Sequence, residues 1–209
     1  MHHDPRPRAI RVMNALVVFA HPDPESYNRA LADAVVRGLA SAGHQVTLLD
    51  LYALDYPGAL SPAEWAAYTT DQPIVDPLVA EHARLVKEAE LLVFVYPTWW
   101  SSVPAILKAW FERTLVMGTA FSLDPRTQRV RPGLTHVRRV VGVTTYGSPW
   151  WYIKAVNDNG RRTIARTLRV ACGRGTKVSW HALYALDGRT EQRRREFVTA
   201  VESSMAAIR

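Results

Sequence analysis

Apolar segments of strand length alternate with helix-forming segments along most of the chain. Five of them have the length and composition of β-strands: residues 15–20, 45–51, 91–96, 138–145 and 177–185. Helices are predicted at residues 25–42, 76–89, 102–115, 157–172 and 190–208. Strands that alternate with helices in this way form a parallel sheet with helices on both faces, joined by right-handed crossovers. The sequence therefore predicts a doubly wound α/β fold.

No Gly-x-Gly-x-x-Gly motif follows the first predicted strand, and this absence decides between two strand orders. Dinucleotide-binding sheets carry that motif in their first turn, whereas the flavodoxin-like order 2-1-3-4-5 does not require it. We therefore predict the flavodoxin-like order for a five-stranded parallel sheet. The order then reverses beside the first and third strands, and ligands bind at the carboxyl ends of the strands there.

No linker, repeat or low-complexity tract divides the 209 residues. We therefore predict a single domain at residues 13–209, preceded by a disordered basic tail at residues 1–12. Two connections are long: residues 52–77, with a predicted short helix at 62–68, and residues 118–137. Long connections in a compact domain usually serve function or a dimer contact.

The composition of the chain limits where the protein can be located in the cell and which partners it can bind. The longest apolar runs are far shorter than the roughly 20 residues that span a bilayer, so no transmembrane segment is predicted. Cys172 is the only cysteine, which excludes an intramolecular disulfide and favours a reducing cytoplasm. The net charge of +7 allows nucleic acid, an anionic membrane or an anionic small molecule as a partner. We expect a small molecule and no nucleic acid.

The third predicted strand runs into a turn that is expected to expose backbone donors. Residues 91–95 are a continuous apolar run, and Pro97 cannot extend a hydrogen-bond ladder, so the strand is expected to end at Tyr96. Ser101 or Ser102 is expected to cap the next helix. The backbone N–H groups between Pro97 and Ser102 are then predicted to be unpaired at the carboxyl end of a strand.

Trp99 and Trp100 lie in this turn and allow two interpretations. They line a ligand site, or they are core or dimer-interface aromatics, since interfaces recruit Trp preferentially.

The first predicted strand is followed by a turn, residues 21–28, that begins a helix. A helix amino terminus offers free N–H donors and the positive end of a dipole, so a phosphate group could bind there. Ser26 and Asn28 add neutral donors, and His21 can add a charge-assisted hydrogen bond. The alternative is that Ser26 only caps the helix and His21 bonds within the loop.

Three stretches of the chain resemble the NAD(P)H:quinone oxidoreductase family, whose members have the flavodoxin-like fold. That family carries an aromatic-Pro-x-x-Trp turn followed by Val-Pro-Ala-Ile-Leu-Lys-x-Trp-Phe-Glu-Arg, and residues 96–113 reproduce it almost residue for residue. Residues 21–28 resemble the family's His-x(4)-Ser-x-Asn phosphate loop, and residues 144–147 resemble its Thr-Thr-Gly-Gly loop.

The resemblance implies a flavin bound at these three turns, with its phosphate at the first, its ring edge at the second and its pyrimidine end at the third. The implied cofactor-binding residues are His21, Ser26, Tyr27, Asn28, Pro97, Thr98, Trp99, Trp100, Ser101, Thr144, Thr145, Tyr146 and Gly147. Trp100 aligns with the family's turn tryptophan, whereas Thr98 and Trp99 are assigned by location. Tyr146 replaces a glycine, which matters if that position needs a positive φ.

The chain has one of the two residues to which the resemblance assigns proton transfer. Tyr152 stands where the family has a tyrosine that hydrogen-bonds a flavin or quinone oxygen and helps to move a proton. The histidine that often follows six residues later is absent, and Asp158 occupies its position. We therefore expect Tyr152 and Asp158 to be the catalytic residues. Trp150 and Trp151 either stack on a flat substrate or form a mobile or interfacial lid.

The activity implied by the resemblance is that of a flavin-dependent NAD(P)H oxidoreductase. NAD(P)H would reduce the flavin by hydride transfer and leave, and a quinone or similar flat electrophile would then take two electrons in the same pocket, which predicts ping-pong kinetics. FMN is favoured over FAD, because the chain lacks the carboxyl-terminal extension with which longer members hold adenosine. The family also implies a homodimer.

Two other functions stay open. A flavin-binding regulatory subunit of a potassium efflux system would need a partner-binding surface, and the sequence identifies none. Electron-transfer flavodoxins are usually acidic, whereas this chain is basic. Motifs of hydrolases, nucleotide hydrolases, dithiol enzymes and zinc enzymes are absent, so we expect no metal, and Cys172 is expected to be packed rather than reactive.

Overall fold

The computed structural model describes residues 11–209, and strands and helices alternate through most of that range. The strands are β1 (Asn14–Phe19), β2 (Gln45–Asp50), β3 (Leu91–Pro97), β4 (Phe121–Leu123), β5 (Val130–Pro132), β6 (Arg139–Thr145) and β7 (Lys177–Leu183). The α-helices are α1 (Tyr27–Ser41), α2 (Pro62–Ala67), α3 (Pro77–Glu88), α4 (Ala105–Thr114), α5 (Trp150–Ala155), α6 (Asn159–Arg162), α7 (Arg169–Cys172) and α8 (Glu191–Ala206). Most of the predicted tail, residues 1–10, lies outside the described residues.

The predicted five-stranded parallel sheet is confirmed. Its strands lie in the order β2-β1-β3-β6-β7, and β4 pairs with β5 in a separate antiparallel hairpin. The predicted order 2-1-3-4-5 counted five strands only, because the sequence analysis found no element in residues 118–137, where the hairpin lies. The central strands β3 and β6 are almost wholly buried, whereas most residues of the edge strands β2 and β7 are only partly buried, as expected for the edges of a covered sheet.

Strand β3 extends one residue further than predicted, because Pro97 pairs with Thr145 of β6. Neighbouring residues of a strand direct their backbone groups to opposite sides. The carbonyl of Val95 accepts a hydrogen bond from Ala20, on the β1 side, and the N–H of Thr98 donates to Thr145, on the β6 side. The missing N–H of Pro97 therefore faces the side on which the β1 ladder has already ended, so proline removes no hydrogen bond there.

Two apolar layers cover the sheet. On one face, α1 and α8 pack against β1, β3 and β6 through residues such as Leu31, Val35 and Met205. On the other face, α3, α4 and the 163–172 segment pack through residues such as Trp110 and Leu168. Within residues 11–209, every helix falls short of the length and apolar character that a bilayer-crossing helix needs.

The predicted helix at residues 157–172 is helical from Asn159 but not uniformly α-helical. Between α6 and α7 lies a π-helical segment, Thr163–Leu168, and Gly173 ends the run with φ 89° as predicted. Cys172 is buried at the end of α7, and burial raises the pKa of its thiol to about 12. It is therefore packed and protonated, in agreement with the sequence analysis.

The side chain of Arg113, on α4, anchors the long connection between β2 and α3. Its guanidinium lies 2.6 Å from Glu64 Oε1 and 2.7 Å from Asp76 Oδ2. These two carboxylates also cap helices, since Glu64 completes a capping box with Ser61 and Asp76 accepts from the first N–H groups of α3. Burial alone would raise the pKa of both carboxyl groups, but their hydrogen bonds to backbone N–H groups and to Arg113 hold it below the ordinary value.

We expect the substitution Arg113→Met to lower the free energy of unfolding by about 3–5 kcal/mol, because it leaves the buried Glu64 carboxylate without its partner. Urea denaturation followed by circular dichroism measures the change. The control is Lys108→Met on the exposed face of the same helix, where the surface pair with Glu112 contributes less than about 1 kcal/mol. Equal losses in the two variants would contradict an anchoring role for Arg113.

Candidate functional site

Three turns meet at the carboxyl edge of the sheet: the first turn (residues 21–28), the second turn (98–104) and the third turn (144–149). The amide of Asn28 donates to the hydroxyl of Thr145 at 3.0 Å. The N–H of Thr98 donates to the carbonyl of Thr145 at 2.8 Å, and the hydroxyls of Thr98 and Thr144 lie 3.0 Å apart. Residues from the ends of β1, β3 and β6 are thus joined into one site.

The hydrogen bonds within the first turn agree with the alternative in which Ser26 caps the helix and His21 bonds within the loop. The hydroxyl of Ser26 caps α1 by accepting from the N–H of Arg29, and the ring of His21 accepts from the N–H of Asp23. Within residues 11–209, the N–H groups of Tyr27 and Asn28 have no acceptor. The amino terminus of α1 therefore keeps two free backbone donors beside the other turns.

The side chain of Tyr27 points away from that terminus. Its hydroxyl donates to the backbone carbonyl of Arg194, on α8, at 2.8 Å. Burial raises the pKa of Tyr27 to about 12, although the positive charge of Arg194 opposes the shift. Tyr27 is thus neutral near pH 7 and joins α1 to α8.

The second turn is tight and left-handed. Trp99 and Ser102 exchange backbone hydrogen bonds of 3.1 and 3.0 Å, while Trp100 and Ser101 have φ values of 49° and 56°. Positive φ at both central residues is the geometry of a type I′ turn, which non-glycine residues seldom adopt. Such strained residues concentrate at functional sites.

Two predictions about the second turn were wrong. Ser101 and Ser102 do not cap α4, because Pro104 occupies the N-cap position. The N–H groups of Thr98, Trp99 and Ser102 are paired. Between Pro97 and Ser102, the stretch for which free donors were predicted, the N–H groups of Trp100 and Ser101 are the two without an acceptor in the described part of the chain. The free donors in this stretch are therefore fewer than predicted.

Both indoles of the second turn are accessible rather than in the core. Trp99 is 41% exposed and its ring centroid lies 5.9 Å from that of His21, which links the first and second turns. Trp100 is 100% exposed. Trp150 and Trp151 are also exposed. Two exposed indoles thus lie in the second turn and two more directly follow the third turn in the chain, which is consistent with either a flat ligand or an interface.

Tyr146 connects the third turn to the interior of the protein. Its ring is buried and stacks on Tyr184 with centroids 4.6 Å apart, and its hydroxyl donates to Asp158 Oδ1 at 2.9 Å. Burial, with the nearby Asp158 carboxylate, raises the pKa of this phenol well above its ordinary value. The φ of Tyr146 is not positive, so the replacement of a glycine requires no left-handed backbone here. Gly147, next in the chain, is exposed.

The structure does not bring the predicted catalytic pair together. Tyr152 is 43% exposed and its ring contacts Trp151 edge-on, with centroids 6.1 Å apart. Asp158 is 5% exposed and bound to Tyr146. No hydrogen bond joins Tyr152 to Asp158 in residues 11–209. Asp158 Oδ2 is buried without a partner in the described chain, and its φ is 45°.

The start of α6 docks on the second turn, a contact that sequence reasoning missed. The N–H of Asn159 donates to the carbonyl of Ser101 at 3.1 Å. Gly160 lies so close that a Cβ there would be 3.1 Å from the carbonyl carbon of Ser102 and 3.2 Å from the nitrogen of Val103. The run Asn157-Asp158-Asn159-Gly160 consists of residues that favour turns, and this pattern could have indicated a turn before α6. It was interpreted as the start of a helix instead.

Comparisons with known proteins match most of the chain. A family profile described as a flavodoxin-like fold matches residues 13–204. Human ribosyldihydronicotinamide dehydrogenase [quinone] is 34% identical over 163 residues, which are 70% of this chain and 69% of that protein. The chain spans about half the length of several other curated relatives, between 49% and 56%.

Solved structures share the fold at lower identity. The NAD(P)H:quinone oxidoreductase from Methanothermobacter marburgensis superposes with a TM-score of 0.81 at 22% identity and covers 95% of this chain and 100% of that chain. An FMN-dependent NADH-azoreductase from Bacillus anthracis, solved in complex with FMN, has a TM-score of 0.73 at 13% identity, with 92% and 97% of the two chains covered.

We expect Gly160→Ala to lower the free energy of unfolding by about 1–2 kcal/mol. Overpacking against the second turn costs about 1–3 kcal/mol, and the higher helix propensity of alanine returns up to about 1 kcal/mol. The control is Gly175→Ala, because a Cβ at Gly175 has no atom within 4 Å. Chemical denaturation compares the two; an unchanged or raised stability of Gly160→Ala would rule out the close contact.

Proposed function

The chain belongs to the NAD(P)H:quinone oxidoreductase family of the flavodoxin-like fold, and on this premise we propose that it is a flavin-dependent NAD(P)H oxidoreductase. It reduces quinones or similar flat electrophiles by two electrons with ping-pong kinetics. The observation that carries the proposal is the joining of the three turns through Thr145 at the carboxyl edge of the sheet. Ligands of open parallel sheets bind at that edge, where the strand order reverses.

The donors left free in the three turns suit a flavin. The N–H groups of Tyr27 and Asn28 offer a phosphate the positive end of α1, which supports binding of the ribityl phosphate at the first turn. The N–H groups of Trp100 and Ser101 are the donors proposed for the oxygen and nitrogen edge of the ring. The exposed indole of Trp99 offers a flat apolar surface next to His21.

Each part of the chain would have a defined task in the reaction. The bound flavin supplies the hydride chemistry. The backbone donors of Trp100 and Ser101 would hold the edge of the ring and would stabilise negative charge there, with little reorganisation because the turn is already formed. The phenol of Tyr152 would hold or move a proton at its hydroxyl oxygen, since this side chain is 43% exposed and lies three residues after the third turn.

Asp158 has a different task in this proposal from the one the sequence predicted. Its carboxylate accepts from the buried hydroxyl of Tyr146, and Tyr146 in turn fixes the backbone of the third turn by hydrogen bonds to Leu183 and Leu186. We therefore propose that Asp158 positions the third turn. Thr144 and Thr145 also act chiefly in positioning, because their hydroxyls are already partnered by Thr98 and Asn28.

FMN is the proposed flavin, with FAD as the alternative. The presence of FMN in the Bacillus anthracis azoreductase of the same fold supports this choice. A homodimer is proposed because four indoles in or directly after the turns are exposed, and a second copy of the chain would cover them.

We further propose one domain at residues 13–209 and a cytoplasmic location, for which the lone Cys172 is the support. The comparisons do not favour a potassium-efflux regulatory subunit or an electron-transfer flavodoxin.

We expect the purified protein to be yellow and to release FMN, identified by mass spectrometry. NADH or NADPH should reduce the bound flavin in the absence of acceptor, and a quinone should reoxidise it in a separate step. Parallel lines in double-reciprocal plots at several quinone concentrations would support the ping-pong order. A colourless protein that neither FMN nor FAD reconstitutes would contradict the proposal.

The substitution Tyr152→Phe should lower the rate of at least one half-reaction by about 10²-fold, the lower end of what a positioned proton donor contributes. Stopped-flow absorbance measures flavin reduction and reoxidation separately. The matched control is Tyr68→Phe, which removes the hydroxyl of another exposed tyrosine, stacked on Trp65 away from the three turns. Unchanged rates for both half-reactions would remove Tyr152 from the proton transfer.

A further inference from the structure

Basic side chains collect at the amino edge of the sheet, opposite the three turns. We call this group the amino-edge cluster, and its members are Arg11, Arg138, Arg139, Arg169, Arg174, Lys177 and Arg209. They line two adjoining pockets of about 360 and 580 Å³ that share Arg139, Gly175 and Lys177. Neither pocket has a carboxylate side chain among its described lining residues.

Two members of the cluster are placed directly against each other. Arg139 and Lys177 begin β6 and β7 and are register partners, so their side chains leave the same face of the sheet from strands about 5 Å apart. Like charges directly opposite each other destabilise a sheet. A bound anion between them would turn this repulsion into attraction.

The protein supplies little negative charge of its own at this edge. Glu90 is the acid that pairs here, with Arg11 at 2.6 Å and Arg138 at 3.0 Å. Arg139, Arg169, Arg174 and Lys177 form no salt bridge with an acidic side chain in residues 11–209. The guanidinium of Arg139 donates to the main-chain oxygen of Arg209 at 3.4 Å.

The cluster accounts for the charge of the described chain. Residues 11–209 contain 24 Lys and Arg side chains and 18 Asp and Glu side chains, an excess of six positive charges. The amino-edge cluster together with Glu90 also carries an excess of six. The side chains of the remaining described residues therefore sum to zero formal charge, so the cluster together with Glu90 equals the net excess of positive side chains in the described chain.

We propose that the amino-edge cluster is a binding site for a compact polyphosphate, either free or displayed on a lipid headgroup. The cations are gathered in two adjoining concave pockets around the starts of neighbouring strands, which suits a small ligand with several closely spaced phosphates. Guanidinium groups match phosphate oxygens in geometry and charge. The site is separate from the three turns and does not depend on the proposed oxidoreductase activity.

Calorimetric titration of the full chain with inorganic triphosphate tests the proposal, in the presence and absence of saturating FMN so that binding at the first turn is recognised. We expect saturable binding that weakens as salt is raised. The double substitution Arg139→Gln and Lys177→Gln should weaken it at least about tenfold, because two charge-assisted contacts are lost. The control, Arg126→Gln with Arg129→Gln on the exposed β4–β5 connection, removes the same charge elsewhere and should change the affinity by less than about twofold.

The location of binding is tested independently of any variant. Amide resonances of Gly175 and Lys177 should shift on addition of triphosphate to the wild-type protein that is saturated with FMN. Absence of saturable binding, equal losses in both double variants, or shifts confined to the first turn would overturn the proposal. So would tighter binding of a duplex RNA through the same residues. Vesicles with and without a phosphoinositide distinguish a lipid headgroup from free polyphosphate, and preferential binding to either phosphate source supports the site.

Discussion

The buried residue Thr145 holds the candidate site together. Its carbonyl accepts the N–H of Thr98 and its hydroxyl binds the amide of Asn28, so one residue at the end of β6 contacts both other turns. These groups are shielded from water, and a buried donor or acceptor that loses its partner costs about 1–3 kcal/mol. The relative position of the three turns is therefore a property of the end of the sheet, where parallel strands finish side by side, rather than of flexible loops.

The fold could be predicted from the sequence because its strands and helices leave regular patterns of apolar and capping residues. Continuous apolar runs identify β3 and β6, and caps such as Asp76 before Pro77 locate the helices. The three turns could be named for the same reason, since each follows a recognisable strand. The hairpin of β4 and β5 was not found, because three-residue strands with accessible side chains leave almost no pattern in the sequence.

The interior of the site was less predictable because tertiary contacts decide it. Left-handed conformations at Trp100 and Ser101 contradict the local preference of both residues and persist because Asn159 and Gly160 pack against that turn. The pairing of Asp158 with Tyr146 joins residues on two elements whose distance no spacing rule gives. Free backbone donors are invisible in a sequence, so it indicated where the ligand edge lies but not which N–H groups are available.

The π-helical segment between α6 and α7 determines how this part of the chain responds to the insertion or deletion of one residue. Both ends of the run are attached to other elements, at the start through Asn159 to Ser101 and at the end through the hydrogen bond of Leu134 to Ala171. A π-helical turn contains one more residue per hydrogen bond than an α-helical turn, so it behaves as an absorbed insertion. A one-residue deletion within Thr163–Leu168 would therefore restore a regular α-helix with both attachments in register, whereas a further insertion would rotate one of them out of register. We therefore expect the segment to tolerate the loss of one residue better than the gain of one, because only a gain disturbs the contact of Asn159 with the second turn or that of Ala171 with Leu134.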